Sequence, residues 1–323
     1  MAVPTGKWIA SGLLLLMLLA FPFAFPLPHP RHVMIMIFLY AMLAQAWNIL
    51  AGYCGQISLG HAIFFGLGAY TSTVLVRQAA ISPWIGMVAG AAVAVIVSQV
   101  IGFPVFRLRG HYFAIATIAL GEIIQTLFIN WDWAGGARGL FVPIKRPDSV
   151  LHLQFHTSKQ SYYFIALGLL ALAFLLTWRL ERSRAGYYFR AIREDQEVAA
   201  SLGINVARYK QLAMGISAGL TALGGTFYAQ YILFIDPESV FPLSLSILIC
   251  LVAVLGGVGT LWGPLLGAAV LVPLSEGTRI LLGGGGKALD LLIYGGLIVV
   301  ISVAQPGGLI ALLGRWSRRT SVP

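Results

Sequence analysis

Charge is what this chain of 323 residues has least of: Asp, Glu, Lys and Arg together make up 10% of it. An ordinary soluble domain carries about 25%. Acidic groups are the scarcer sign, 11 against 21 basic ones. So few charges cannot cover a water-facing surface of this size, which excludes a soluble enzyme, a disordered protein and a coiled coil. Cysteine is nearly absent too. Cys54 and Cys250 offer neither a framework of bridges nor metal-ligand spacing. The phosphate-binding pattern Gly-x-x-x-x-Gly-Lys-Ser/Thr does not occur, so the chain is not itself a P-loop ATPase. No nucleophile–base pair stands out, so no catalytic residue and no metal site is expected. Ten-residue alternations of the kind that build a β-barrel are missing as well.

Apolar residues are abundant, at 59%, and the mean hydropathy is +0.86. They fall in long runs at about residues 8–25, 33–50, 57–76, 82–102, 112–129, 161–179, 211–231, 244–262, 264–282 and 288–304. A helix needs roughly 20 residues to cross a 30 Å hydrocarbon core. The pattern predicts an all-α polytopic membrane protein with about ten transmembrane helices, 8–10 of them full crossings. Residues 1–323 read as a single transmembrane domain. The first run lacks a small-x-small cleavage site, Phe21, Pro22 and Phe23 following it instead, so it reads as an uncleaved helix. Gly-rich breaks within 33–76 and 244–282 fit either turns or re-entrant bends.

The formal charge of +10 reads as loop arginines facing an anionic leaflet, with lipid as the partner and not nucleic acid. With ten helices starting inside, both termini are cytoplasmic. The Arg-rich loop 180–210 and the Arg315–Arg319 tail then share the cytoplasmic side, and the polar loop 130–160 lies outside. Eleven charged residues, seven basic and four acidic, fall between Arg179 and Lys210.

Within that loop, residues 188–203 contain good helix formers. Arg190 with Glu194, and Arg193 with Glu197, are pairs four apart. Ile192, Ala199 and Leu202 fall near one face, and Gly203 is placed to end the helix in the left-handed conformation with Ile204 as a hydrophobic contact. The expectation is one compact helix across the inner mouth of the bundle.

Glu197-Val198-Ala199-Ala200-Ser201-Leu202-Gly203 resembles the coupling motif of ABC importer permeases, with Val198 departing from the motif's first Ala. Gly52 to Tyr70, Tyr112 to Ile124, Gly186 to Val206 and Gly256 to Pro264 are similar to stretches of one branch, the permease subunit of branched-chain amino acid (LIV-type) ABC importers. The resemblance runs from about residue 45 to 310. It implies a multi-pass subunit of the bacterial inner membrane that translocates branched-chain amino acids. Its implied partners are a second, homologous permease, two cytoplasmic ABC ATPases and a periplasmic solute-binding protein. ATP and Mg would be bound by the ATPases, leaving no cofactor in this chain. The ATPase-coupling residues it implies are Arg190, Arg193, Glu194, Glu197, Ala199, Ala200 and Gly203. Permeases for urea or short amides resemble the family closely, and a stand-alone secondary transporter is the competing class.

Polar and small residues inside the apolar runs are the candidate pathway. Thr117, Gly121, Glu122 and Gln125 lie within an arc of about 140° on a helix. A charge at the bilayer centre costs roughly 2.5–3.5 kcal/mol on insertion scales, so Glu122 should face protein or water. It either lines the pathway or pairs structurally. Ser58, His61, Phe65, Gly68 and Ser72 are spaced 3, 4, 3 and 4 and share a face. That stripe fits a hydrated lining, with Gln56 beside it, or close helix approach around a packed, hydrogen-bonded His61. Gly256, Gly257, Gly259, Gly263 and Gly267 fit tight helix packing with a break before Pro264.

Overall fold

The computed structural model describes residues 17–24, 27–144, 148–155, 158–281, 295–296 and 307–311. The apolar run at 288–304, the Arg315–Arg319 tail and the first 16 residues therefore lie largely or wholly outside the described residues, and with them the expected cytoplasmic termini.

Residues 17–24 are helical. Helix α1 (Pro28–Asn48) opens on a proline, whose missing N–H costs nothing in the first turn, and runs on into a π-helical turn, Ile49–Tyr53. Helix α2 is His61–Ala79, α3 is Pro83–Val105 and α4 is His111–Ile129. Two 3-10 turns and a short strand β1 (Leu140–Phe141) follow. Then come α5 (Gln160–Glu181), α6 (Arg184–Glu194), α7 (Gln196–Ser201) and α8 (Val206–Ile232). Strand β2 (Phe234–Ile235) pairs antiparallel with β1. The chain continues through α9 (Pro237–Val240), α10 (Leu243–Gly256) and α11 (Gly263–Leu281). The protein is an all-α polytopic membrane protein.

Among the described residues, six helical stretches are long and apolar enough to cross a membrane: Pro28–Tyr53, Pro83–Val105, His111–Ile129, Gln160–Glu181, Val206–Ile232 and Pro237–Gly256. The ten-helix expectation counted two further runs here. The run at 57–76 is helix α2, which has the length but carries His61, Thr71, Ser72 and Thr73 and is enclosed by protein. The run at 264–282 is α11, whose apolar part is the shorter stretch Gly263–Gly277.

Close backbone approach builds the core. Helix α8 packs against α2 and α3. A side chain at Gly68 would collide with the backbone of Ala222, and one at Gly225 with the Phe65 carbonyl. Thr226 donates to the Gly68 carbonyl at 3.0 Å across the same seam. Apolar tails already surround membrane helices, so small residues and interhelical hydrogen bonds drive this packing. The exposed surface is correspondingly apolar: Ile85, Val88, Ile96, Val100 and Phe103 project outward from α3.

The interhelical connections separate into two ends. At one, Ser82 and Trp84 donate to the carbonyls of Leu151 and Val150, β1 pairs with β2, and His32 meets Tyr231. At the other, Arg109 meets Glu197, Arg193 meets Gly52, and Asn48 meets Gly259. The 180–210 and 130–160 loops thus occupy opposite ends of the bundle.

Candidate functional site

The loop after α5 holds two helices, where one was expected over 188–203. Ser183 caps α6, its hydroxyl accepting the Gly186 N–H at 3.3 Å. The helix buries Gly186, Phe189 and Ile192 against the bundle. At Asp195 the backbone turns extended (φ −156°, ψ 120°) and the helix ends. The Asp195 carboxylate then accepts the N–H groups of Glu197 and Val198, at 2.7 and 3.1 Å, and starts α7. An aspartate competes with the helical backbone for hydrogen bonds and favours a cap over an interior position. That preference breaks the expected single helix.

Helix α7 ends on Gly203, with φ at +83°. Gly203 donates to the Ala200 carbonyl at 3.0 Å and Ile204 to the Ala199 carbonyl at 3.1 Å. These paired bonds define a Schellman motif.

The expected charge pairs are replaced by longer-range ones. Arg190 bonds Glu181 at 3.1 Å instead of Glu194. Glu197 bonds Arg109, from the turn between α3 and α4, at 2.6 Å. Arg193, exposed overall, reaches across to α1 and donates to the Gly52 carbonyl at 2.7 Å. Helix α7 is drawn onto α8 by Lys210, a buried cation that donates to the Gln196 side chain at 2.7 Å. Ala199 is buried beneath α7 and Ala200 is exposed, as are Glu194 and Glu197. Val198 and Leu202, one turn apart, are 55% and 75% exposed, and Tyr187 is exposed nearby. An apolar pair ringed by charges at the polar end of the bundle has the composition of a docking surface.

The candidate pathway residues divide into two groups. Gln56, Ser58, His61, Phe65 and Thr117 are buried in the core. His61 Nε2 shares a 2.8 Å hydrogen bond with the Ser217 hydroxyl, which donates to the Ala46 carbonyl at 2.6 Å. The Phe65 ring packs on Tyr228 with centroids 5.4 Å apart. Thr117 accepts the Leu59 N–H at 3.0 Å, and Gln56 donates to the Cys54 carbonyl at 3.3 Å. These groups join α2 and its entry loop to α1, α4 and α8. Glu122 lies elsewhere, exposed on the outward side of α4, and Gln125 is half-buried at the edge of that side. Only 17% of the apolar window of α4 is buried, the least of the six spans. Among the described residues no group of His, Cys, Asp and Glu is arranged to hold a metal ion.

The glycines of 256–267 also divide. Gly256, Gly263 and Gly267 sit at backbone crossings of α10 and α11, where a Cβ would strike main-chain atoms. Gly257 and Gly259 have positive φ and form the turn between the two helices. Asn48, which sequence reasoning missed, holds that turn: its Oδ1 accepts the Gly259 N–H at 2.7 Å and its Nδ2 donates to the Thr260 carbonyl at 2.9 Å. Gln45, Asn48 and Gln230 are fully buried amides. Among the described residues, Gln45 and Gln230 find no hydrogen-bond partner for either end of the amide. An amide inside an apolar run is itself a sequence signal, since it must face protein or a cavity.

The family model described as branched-chain amino acid transport system / permease component matches residues 30–302. Among curated proteins, the high-affinity branched-chain amino acid transport system permease protein LivM of Salmonella typhimurium is 30% identical over 297 residues, spanning 85% of this chain and 68% of that protein. LivM of Escherichia coli matches to the same extent, 30% over 297 residues. The permease protein BraD of Pseudomonas aeruginosa is 26% identical over 289 residues, 84% of this chain and 91% of that protein. No solved structure matches the chain significantly.

Proposed function

The chain belongs to the family of branched-chain amino acid transport permeases, and from that premise we propose that it is a membrane-spanning subunit of an ABC importer for branched-chain amino acids in the bacterial inner membrane. It works with a second, homologous permease, two cytoplasmic ATPases and a periplasmic solute-binding protein. The α6–α7 pair is the cytoplasmic coupling element, which places the Arg-rich end of the bundle inside.

The observation that carries this reading is the construction of α7. Asp195 and Gly203 cap it at both ends, and the buried Lys210 ties it to the bundle through Gln196. Val198 and Leu202 nevertheless remain exposed. A rigid, tethered helix with an uncovered apolar face suits an element that passes a partner's movement to the membrane helices. Ala199 packs inward while Glu194, Glu197 and Ala200 face the ATPase. The chain supplies no nucleotide chemistry: ATP and Mg act in the partner subunits, and this subunit receives the motion.

The outward side of α4 is the proposed pathway wall. A carboxylate at Glu122 facing acyl chains is costly, whereas one facing water, solute or the second permease is not. The buried group around His61 supports that wall by locking α2 in place.

Reconstitution with the three partner types and measurement of ATP-dependent leucine uptake tests the reading. Replacing Glu197 and Gly203 together with bulky residues should abolish uptake. Normal uptake in that double variant would remove the coupling role from α7.

A further inference from the structure

Arg193 lies in the last turn of α6, on the element read above as the coupling element, and although the side chain as a whole is exposed, its guanidinium reaches back to the bundle. It donates to the Gly52 carbonyl at 2.7 Å. Gly52 belongs to the π-helical turn Ile49–Tyr53 that ends α1. The last carbonyls of a helix lack internal partners and carry the negative end of its dipole, so a cation there is held by a charge-assisted hydrogen bond.

Three glycines make room for this contact. The Arg193 stem lies against Gly55, where a Cβ would come within 3.1 Å of the Arg193 Cα. A Cβ at Gly259 would press on the guanidinium, and Gly259 itself has φ at +76°. A side chain at Gly52 would collide with the Asn48 amide and the Gly259 backbone. That amide in turn grips Gly259 and Thr260 through both of its ends. One cation therefore sits where three separate parts of the chain meet: the end of α6, the π turn of α1, and the turn between α10 and α11. Each of these is an irregular piece of backbone. π turns within helices are frequent at functional sites because their hydrogen-bond register differs from that of the flanking helix.

We infer that Arg193 is the positioning residue of a mechanical joint: it fastens the coupling element to the π turn of α1 and the Gly257–Thr260 turn, so that the three move as one unit when the ATPases close. The inference rests on the coupling reading of α6 and α7 and adds the route by which movement enters the membrane. A bond from a flexible loop arginine to solvent-facing carbonyls would only cap a helix. Here both the guanidinium and the Gly52 carbonyl it holds lie against Gly259, whose N–H the Asn48 amide accepts, so the contact reaches the turn between α10 and α11 as well.

The test uses the assembled transporter in liposomes. In Arg193→Ala, leucine taken up per ATP hydrolysed should fall by about tenfold, the scale of one lost charge-assisted hydrogen bond. Co-purification of the ATPases should persist, and Arg193→Lys should recover part of the ratio. An unchanged ratio, or a loss of bound ATPase in Arg193→Ala, overturns the inference. A second measurement does not depend on the solute. Spin labels at positions 187 and 258, both accessible, report the distance from α6 to the Gly257–Thr260 turn. That distance should stay fixed on trapping with ATP and vanadate in the wild type and should broaden in Arg193→Ala. A wild-type distance that changes on trapping, or an unaltered distribution in the variant, refutes the joint. A wild-type transporter that hydrolyses ATP without importing leucine would count against the proposed substrate, and the label distances would still decide the joint.

Discussion

Glu197 and Arg109 meet at 2.6 Å with both side chains mostly exposed, 75% and 69%. An ion pair that open to solvent contributes about 0–1 kcal/mol, because water screens it and two long side chains lose freedom. Glu197→Ala should therefore leave the melting temperature of the purified permease nearly unchanged while weakening capture of the ATPase. Scanning fluorimetry beside a pull-down separates the two effects. A large drop in melting temperature would mark the pair as structural.

Gly203 offers a cleaner test of the α7 cap. A Cβ there meets nothing within 4 Å, so substitution is opposed only by the backbone angle of +83°. Gly203→Ala should cost about 1 kcal/mol, and Gly203→Asn less, because asparagine tolerates the left-handed region. Denaturation midpoints and uptake rates should follow the order Gly, Asn, Ala.

The glycines of the α2–α8 seam should behave differently. Gly225→Ala drives a methyl into the Phe65 carbonyl, and Gly68→Ala drives one into the Ala222 backbone. Backbone cannot step aside as a side chain can, so each should cost about 1–3 kcal/mol as overpacking. Gly121→Ala on α4 meets nothing within 4 Å and should be neutral or stabilising by up to about 1 kcal/mol, since alanine is the better helix former. Yield of monodisperse protein in detergent distinguishes the two classes.

Glu122→Cys in the assembled transporter should react with a membrane-impermeant thiosulfonate, and leucine should slow the reaction. The native Cys54 contributes no background: it is buried, and burial pushes its thiol up to about 12, leaving almost no thiolate near neutral pH. Cys250 is replaced by Ala for the measurement. A label at position 122 that reacts only with lipid-soluble reagents would remove Glu122 from the pathway wall.

Much of this protein was legible in its sequence, for reasons particular to membranes. Hydrocarbon demands long apolar runs, and the scarcity of charge announces them whatever the tertiary contacts. The clustering of charge at 179–210 separates one end of the bundle from the other. Local chemistry was readable too, as Gly203 shows: a glycine after a short helix needs only its neighbours to adopt the left-handed turn. The spacing rule failed for Arg190 and Arg193. Pairs four apart on a helix are worth a few tenths of a kcal/mol, and better partners drew both arginines away. Arg190 found Glu181, and Arg193 found a carbonyl at Gly52.

What the sequence determined by itself was the class of molecule, the separation of its two ends and a helix in the charged loop that stops at Gly203. Only the tertiary structure decided where that helix is fastened. The Asn48 clasp spans 211 residues of chain and the Arg193 contact spans 141. Both end on backbone groups, and every residue carries the same carbonyl and N–H. Nothing in the identity of Gly52, Gly259 or Thr260 marks them as partners until folding exhausts the nearer hydrogen bonds and leaves those groups to be satisfied from a distance.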